Sequence, residues 1–206
     1  ASTVVGTATL RAQDCNRATL EFEFISSEAQ GKYGVLPLDR LTGGTAPCQL
    51  SGGQTQPGRD ARPARGGFDG RQSGSWYQPQ TAGQGLMMTV QPATASAPGF
   101  FFGGRFTYDA GAPNDPTSQH WLTLSGEIPV NAQSGVVPVT IYRTLGGQLA
   151  SVPTQNNAIL GRGTVTFSGC ASAVLRYQFD DALIVGAFRA RSGEINLQRL
   201  GACPAQ

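Results

Sequence analysis

Charge is scarce in this chain. Asp, Glu, Lys and Arg make up 14% of its 206 residues, and the formal net charge is +2. So weak a field does not by itself recruit nucleic acid. No stretch approaches the ~18 apolar residues that a spanning helix needs, so no membrane span is expected. Histidine occurs once, as His120, and the four cysteines include no C-x-x-C pair, so a zinc cluster lacks its ligand set. Neither the nucleophile elbow G-x-S-x-G nor a phosphate-cradling P-loop occurs. With those motifs missing, the expectation is a protein that is not an enzyme and holds no cofactor and no metal.

What is present is glycine, 28 residues of it, among short runs rich in Thr, Val, Phe and Tyr. Such runs, separated by turn residues and without helical period, predict an all-β chain.

Two stretches share one pattern. "VGTATLRAQDCNRATLEFEF" lies at one end and "LGRGTVTFSGCASAVLRYQF" near the other. With Cys15 aligned on Cys170, Gly6 falls on Gly161, Thr9 on Thr164, Leu10 on Val165, Ala18 on Ala173, Leu20 on Leu175, Phe22 on Tyr177 and Phe24 on Phe179. "LPLDRL" at 36–41 then matches "INLQRL" at 195–200, after a shift of four residues in the connecting loop. The pattern reads as a duplicated unit of three strands. Leu20, Phe22 and Phe24, like Leu175, Tyr177 and Phe179, recur with period two, which buries one face and exposes the other. Four cysteines allow three connectivities, and Cys15–Cys48 with Cys170–Cys203 is the one that respects the duplication. Each bridge would tie the turn before the second strand to the tail of the third. Two cystines imply an oxidising compartment, hence a secreted, extracellular, cell-surface or periplasmic protein. The opening "ASTVV" fits a mature product left by signal cleavage after a small residue.

Residues 1–50 read as a half-module, the tail of a unit whose front strands are missing. Residues 51–75 read as a Gly- and Arg-rich linker. Arg59, Arg62, Arg65 and Arg71 resemble an RNA-contacting Arg-Gly segment, but four arginines with one Phe read more simply as a solvated connector. Residues 76–206 read as a complete module of seven or eight consecutive strands, an antiparallel meander curved into a barrel or sandwich. The stretch 181–193 is left open as a further strand or hairpin.

"GSWYQPQTAGQGL", "FFFGGRFTYD", "QHWLTL" and a terminal β unit with two cysteines resemble a module of secreted proteobacterial proteins, especially from xanthomonads. The resemblance covers about residues 73–203, and the N-terminal copy matches only the module's tail. It implies secretion and a β fold, and carries no activity. Gly-x-Trp and a closing Trp-Leu also resemble, more faintly, avidin-type barrels.

His120 and Trp121 are strand neighbours, so one faces inward and one outward. A Ser-His-Asp site would need His120, with Ser118, Ser125 and Asp109 as possible members. Asp180 and Asp181 are adjacent and read as a strand end. "DAGAPNDP" at 109–116 offers oxygen ligands without EF-hand spacing and reads as a turn. Phe100, Phe102, Phe106 and Tyr108 share one parity, Phe101 and Gly103 the other, and one set fills the core. Met87 and Met88 point to opposite faces.

Two functions follow. In the first, the incomplete N-terminal unit exposes strand edges and completes a neighbour's module, giving a self-assembling extracellular filament or surface-layer subunit whose partners are copies of itself. In the second, an aromatic cavity bounded by Trp76, Tyr77, Trp121 and Tyr108 binds carbohydrate or a small apolar molecule, with cell-surface contact.

Overall fold

The computed structural model describes residues 3–40, 48–50, 52–56, 67–81, 83–109, 118–146, 156–180, 188 and 191–203. The chain is all-β, with a single short 3-10 turn at Pro79–Thr81 among the described residues. It divides into two compact units, one holding the described residues up to 56 and the other those from 67 onward.

The first unit is a three-stranded antiparallel sheet, β1 (Gly6–Ala12), β2 (Arg17–Phe24) and β3 (Tyr33–Asp39), with a small hairpin of β4 (Cys48–Gln49) and β5 (Thr55–Gln56). Cys15 and Cys48 are bridged, with Cα atoms 5.7 Å apart. Register places Gly6, Ala8, Leu10 and Ala12 on the same face as Ala18, Leu20, Phe22 and Phe24, and as Gly34, Leu36 and Leu38. That face is wholly apolar. The other carries Thr7, Thr9, Arg11, Glu21 and Glu23, with an Arg11–Glu21 ion pair at 3.4 Å.

The second unit is a closed antiparallel barrel of eight strands in sequence order. They are β6 (Gly74–Tyr77), β7 (Gly85–Gln91), β8 (Gly99–Tyr108), β9 (Gln119–Ile128), β10 (Val136–Leu145), β11 (Asn156–Phe167), β12 (Ser172–Phe179) and β13 (Ser192–Arg199). Every strand pairs with the next, and β13 returns to β6 through Gln198–Tyr77 and Arg199–Trp76. The seam is reinforced by Leu200 N–H donating to Ser75 O at 2.8 Å, and by Arg199 Nη1 donating to Arg71 O at 2.6 Å. Closure removes the open edges a neighbour would need. A three-stranded unit from another copy therefore finds no open edge in this barrel.

Alternation fills the interior. Leu86, Met88 and Val90, Leu122 and Leu124, Val137, Val139 and Ile141 all point inward. In β8 the inward parity belongs to Phe101 and Gly103, so Phe100, Phe102 and Phe106 lie on the outer wall. Met88 is buried and Met87 exposed. β11 bulges where Ile141 and Tyr142 of β10 face Gly161 and Ile159, leaving Leu160 unmatched; Leu160 and Gly161 are consecutive and both buried.

The barrel's last three strands have the registers of the N-terminal sheet. Gly161–Phe179 and Val165–Leu175 stand as Gly6–Phe24 and Leu10–Leu20 do, and Leu175–Ile195 stands as Leu20–Leu36 does. Cys170 and Cys203 are bridged with Cα atoms 5.8 Å apart, over the same separation of 33 residues. Two glycine positions coincide for steric reasons. A Cβ on Gly6 would run into Glu23 O, and one on Gly161 into Gln178 O. A Cβ on Gly34 would lie 2.8 Å from the Phe22 ring, and one on Gly193 2.7 Å from the Tyr177 hydroxyl.

Burial separates the two triplets. Val165 is fully buried while Leu10 is 65% exposed, and Leu197 is 4% exposed against 40% for Leu38. No residue from 3 to 40 is buried.

The stretch read as a linker is partly barrel. Phe68 and Gln72 are fully buried, and Phe68 stacks edge-on with Phe167 at 6.0 Å. Residues 57–66 of that stretch, with Arg59, Arg62 and Arg65, lie outside the described residues, as do 110–116 of the calcium-like turn, Asp181, and most of 181–193.

Candidate functional site: the mouth of the barrel

One end of the barrel is plugged. Phe68, Trp76, Phe101 and Phe167 converge there with ring centroids 5.9–6.5 Å from Phe167. Trp76 Nε1–H donates to Gln72 O at 3.0 Å. The Gln72 side chain in turn donates to Gly67 O at 2.7 Å and accepts from Asp69 N–H at 3.1 Å. The buried Gln72 amide is thus satisfied as both donor and acceptor.

The other end is open. The inward parity of β8 passes from Phe101 and Gly103 to Arg105 and Thr107, so apolar wall gives way to polar mouth within one strand. The cavity there has a volume of about 260 Å³. Leu122, Leu124, Ile141 and Leu175 form its floor and sides. Tyr177, Phe179, Phe188 and His120 form an aromatic arc, with successive centroids 5.2, 5.1 and 5.0 Å apart. The arc ends where His120 Nε2 meets Asp109 Oδ1 at 2.6 Å. Thr107 Oγ1 donates to Gln84 Oε1 at 2.8 Å.

Arg105 is the group that does not fit a mere core. Its guanidinium carbon sits 5.8 Å from the centre of the Tyr177 ring. Burial pushes its pKa below the ordinary arginine value, with the Tyr177 hydroxyl a smaller opposing influence. Among the described residues it pairs with no carboxylate. Asp109 shares the cavity but is engaged by His120. A cation–π contact stabilises by about 0.5–2 kcal/mol, whereas desolvating an ion costs several. Arginine does not escape that cost by deprotonating. Among the described residues, then, the compensation of this cation is incomplete.

The four aromatics expected to share a ligand site do not converge. Trp76 is in the plugged end. Tyr77, one residue on, takes the opposite parity and is half-buried. Trp121 is on the outer wall, 54% exposed, edge-on to Phe106 at 4.8 Å and lying over Gly104. Tyr108 reaches the rim of the cavity, its hydroxyl donating to Gly83 O at 3.4 Å. Trp121 and Tyr108 share a shallow outer depression with Phe106. Of the residues considered for a hydrolytic site, the fold brings together His120 and Asp109. Ser118 is buried beside them, its carbonyl accepting from Asp109 N–H at 2.9 Å. Among the described residues no three His, Cys, Asp or Glu side chains cluster as metal ligands.

Arg105, Tyr177, Phe179 and Phe188 were not singled out by sequence pattern as site residues. The available signal was a charge on the same parity as Phe101 in "FFFGGRFTYD", where a core face should carry none.

Fold and site together define an eight-stranded antiparallel barrel, plugged at one end and open to a polar-rimmed cavity at the other. Set against protein-family models, curated proteins and solved structures, the chain matches none.

Proposed function

We propose that this chain is a secreted structural protein, without catalytic activity, that self-associates through its N-terminal sheet into an extracellular filament or surface layer. The observation that carries this reading is the apolar face of β1–β3, on which Leu10 and Leu38 are exposed and Leu20, Phe22, Phe24 and Leu36 only half-buried. Its sister strands in the barrel bury their equivalents, and a sheet with one hydrophobic face needs a second layer to cover it.

The occupant is a second copy of the same sheet. The face bears no charge, so two copies meet there without like-charge repulsion. Three strands ~4.8 Å apart and seven residues long at ~3.4 Å each present a face of roughly 14 by 24 Å. Two such faces cover roughly 700 Å² in projection, short of the ~1,200–2,000 Å² of a stable interface, so this contact by itself is weak. Edges supply the rest. Among the described residues β1 and β3 each pair on one side only. Pro37 interrupts the donor row of β3, whereas β1, "GTATLRA", has no proline and one charge. A β1–β1 contact across one two-fold axis and a face contact across a second axis that does not intersect the first add copies without closing. The two cystines suit an oxidising, extracellular setting.

Sedimentation velocity of the whole chain over a concentration series tests this. The expected result is mass rising beyond a dimer at high concentration, and a monomer at every concentration for Leu10→Glu. A wild-type chain that stays monomeric up to millimolar concentration overturns the reading.

A further inference from the structure

The mouth cavity supports an inference independent of self-association. We propose that the barrel binds a small organic monocarboxylate, its carboxylate on Arg105 and its apolar body among Leu122, Leu124, Ile141 and Leu175.

Chemistry selects that ligand class. The floor is aliphatic and the arc aromatic, which calls for an apolar body. Arg105 presents the planar fork that pairs two carboxylate oxygens at once. Thr107, two residues on and of the same parity, holds Gln84 beside it, giving the anion neutral polar neighbours. Asp109, the acidic group on the cavity wall, is turned to His120 and so is not the partner of Arg105. Arg191 adds a second cation at the exposed rim. Burial already weakens the hold of Arg105 on its proton, and an arriving carboxylate reverses that cost.

Size bounds the ligand. The cavity, about 260 Å³, is of the scale of a small organic acid. Benzoate and hexanoate are of that scale, and long-chain fatty acids are not. The Phe68–Trp76–Phe167 plug closes the far end, so a longer chain has no exit.

The test is isothermal titration of the whole chain with benzoate and hexanoate, each paired with a neutral counterpart, benzyl alcohol and 1-hexanol. The expected result is carboxylates binding at least tenfold more tightly than the alcohols. In Arg105→Met, which keeps an unbranched apolar stem and removes the guanidinium, that preference disappears while the thermal midpoint holds or rises. Arg191→Gln changes carboxylate affinity less than threefold. Equal binding of acid and alcohol to the wild type overturns the proposal, as does no carboxylate binding at 10 mM. Undiminished carboxylate binding to Arg105→Met overturns it too. The comparison of acid with alcohol uses the unmodified chain, so it decides the matter even if Arg105→Met does not fold. Binding is measured at concentrations where the chain is monomeric, so loss of assembly does not alter the outcome.

Discussion

Replacing Cys15 and Cys48 by serine, or Cys170 and Cys203, removes the same constraint from two places with unequal reserves. Both bridges close loops over 33 residues. In the chain-entropy model each restricts the unfolded chain by about 3.7 kcal/mol. The barrel triplet absorbs that loss. It buries Val165, Phe167, Ala173, Leu175, Phe179, Ile195 and Leu197, and large apolar side chains contribute roughly 1.5–3 kcal/mol each. The N-terminal triplet buries none. At concentrations where the chain is monomeric, Cys170→Ser/Cys203→Ser should keep its near-ultraviolet signal from Trp76 and melt roughly 10–15 °C lower. Cys15→Ser/Cys48→Ser should leave the barrel's midpoint unchanged while amides 6–39 lose hydrogen-exchange protection. A monomeric Cys15→Ser/Cys48→Ser chain whose β1–β3 amides stay protected would refute the reasoning, because something other than the cystine would then be holding that sheet.

Gly161→Ala should cost more than Gly193→Ala, about 3 kcal/mol against about 1, since one new methyl meets a main-chain carbonyl and the other a tyrosine hydroxyl that can swing aside; urea unfolding of both reports the difference, and equal costs would contradict it. Trp76→Phe should destabilise the barrel by about 2 kcal/mol, through lost volume and a Gln72 carbonyl left without its donor; a change below ~0.5 kcal/mol in the same unfolding assay would be the contrary result. Asp14 is held below the usual carboxylate range, first by the Asn16 N–H and then by the Arg17 side chain. A lowered folded value means its contribution is present above the ordinary aspartate pKa and fades as pH falls through the lowered one. The Asn16 and Arg17 amide resonances should therefore titrate below the ordinary aspartate range, and titration above it would reverse the assignment.

Leu20, Phe22 and Phe24 announce a strand because alternation is local, and the equal cysteine spacing announces both bridges because it is counted along the chain. The reason for the paired glycines at 34 and 193 is not legible that way, since it lies in rings seated on them from the next strand. Nor is the site. Phe100, Phe101 and Phe102 are equally apolar on both parities, so alternation cannot choose which enters the core. Trp76, Trp121 and Tyr108 look alike in sequence and end in the plug, on the wall and at the rim.

The sequence by itself determined the all-β class, the strand triplets and the two cystines, because hydrophobic period and cysteine spacing act over a few dozen residues. Tertiary structure alone decided that β13 closes on β6, that Arg105 rather than Phe106 turns inward, and that no residue of the first triplet is buried. Closure joins strands more than a hundred residues apart, and the inward side of each strand is fixed only once the whole ring has formed.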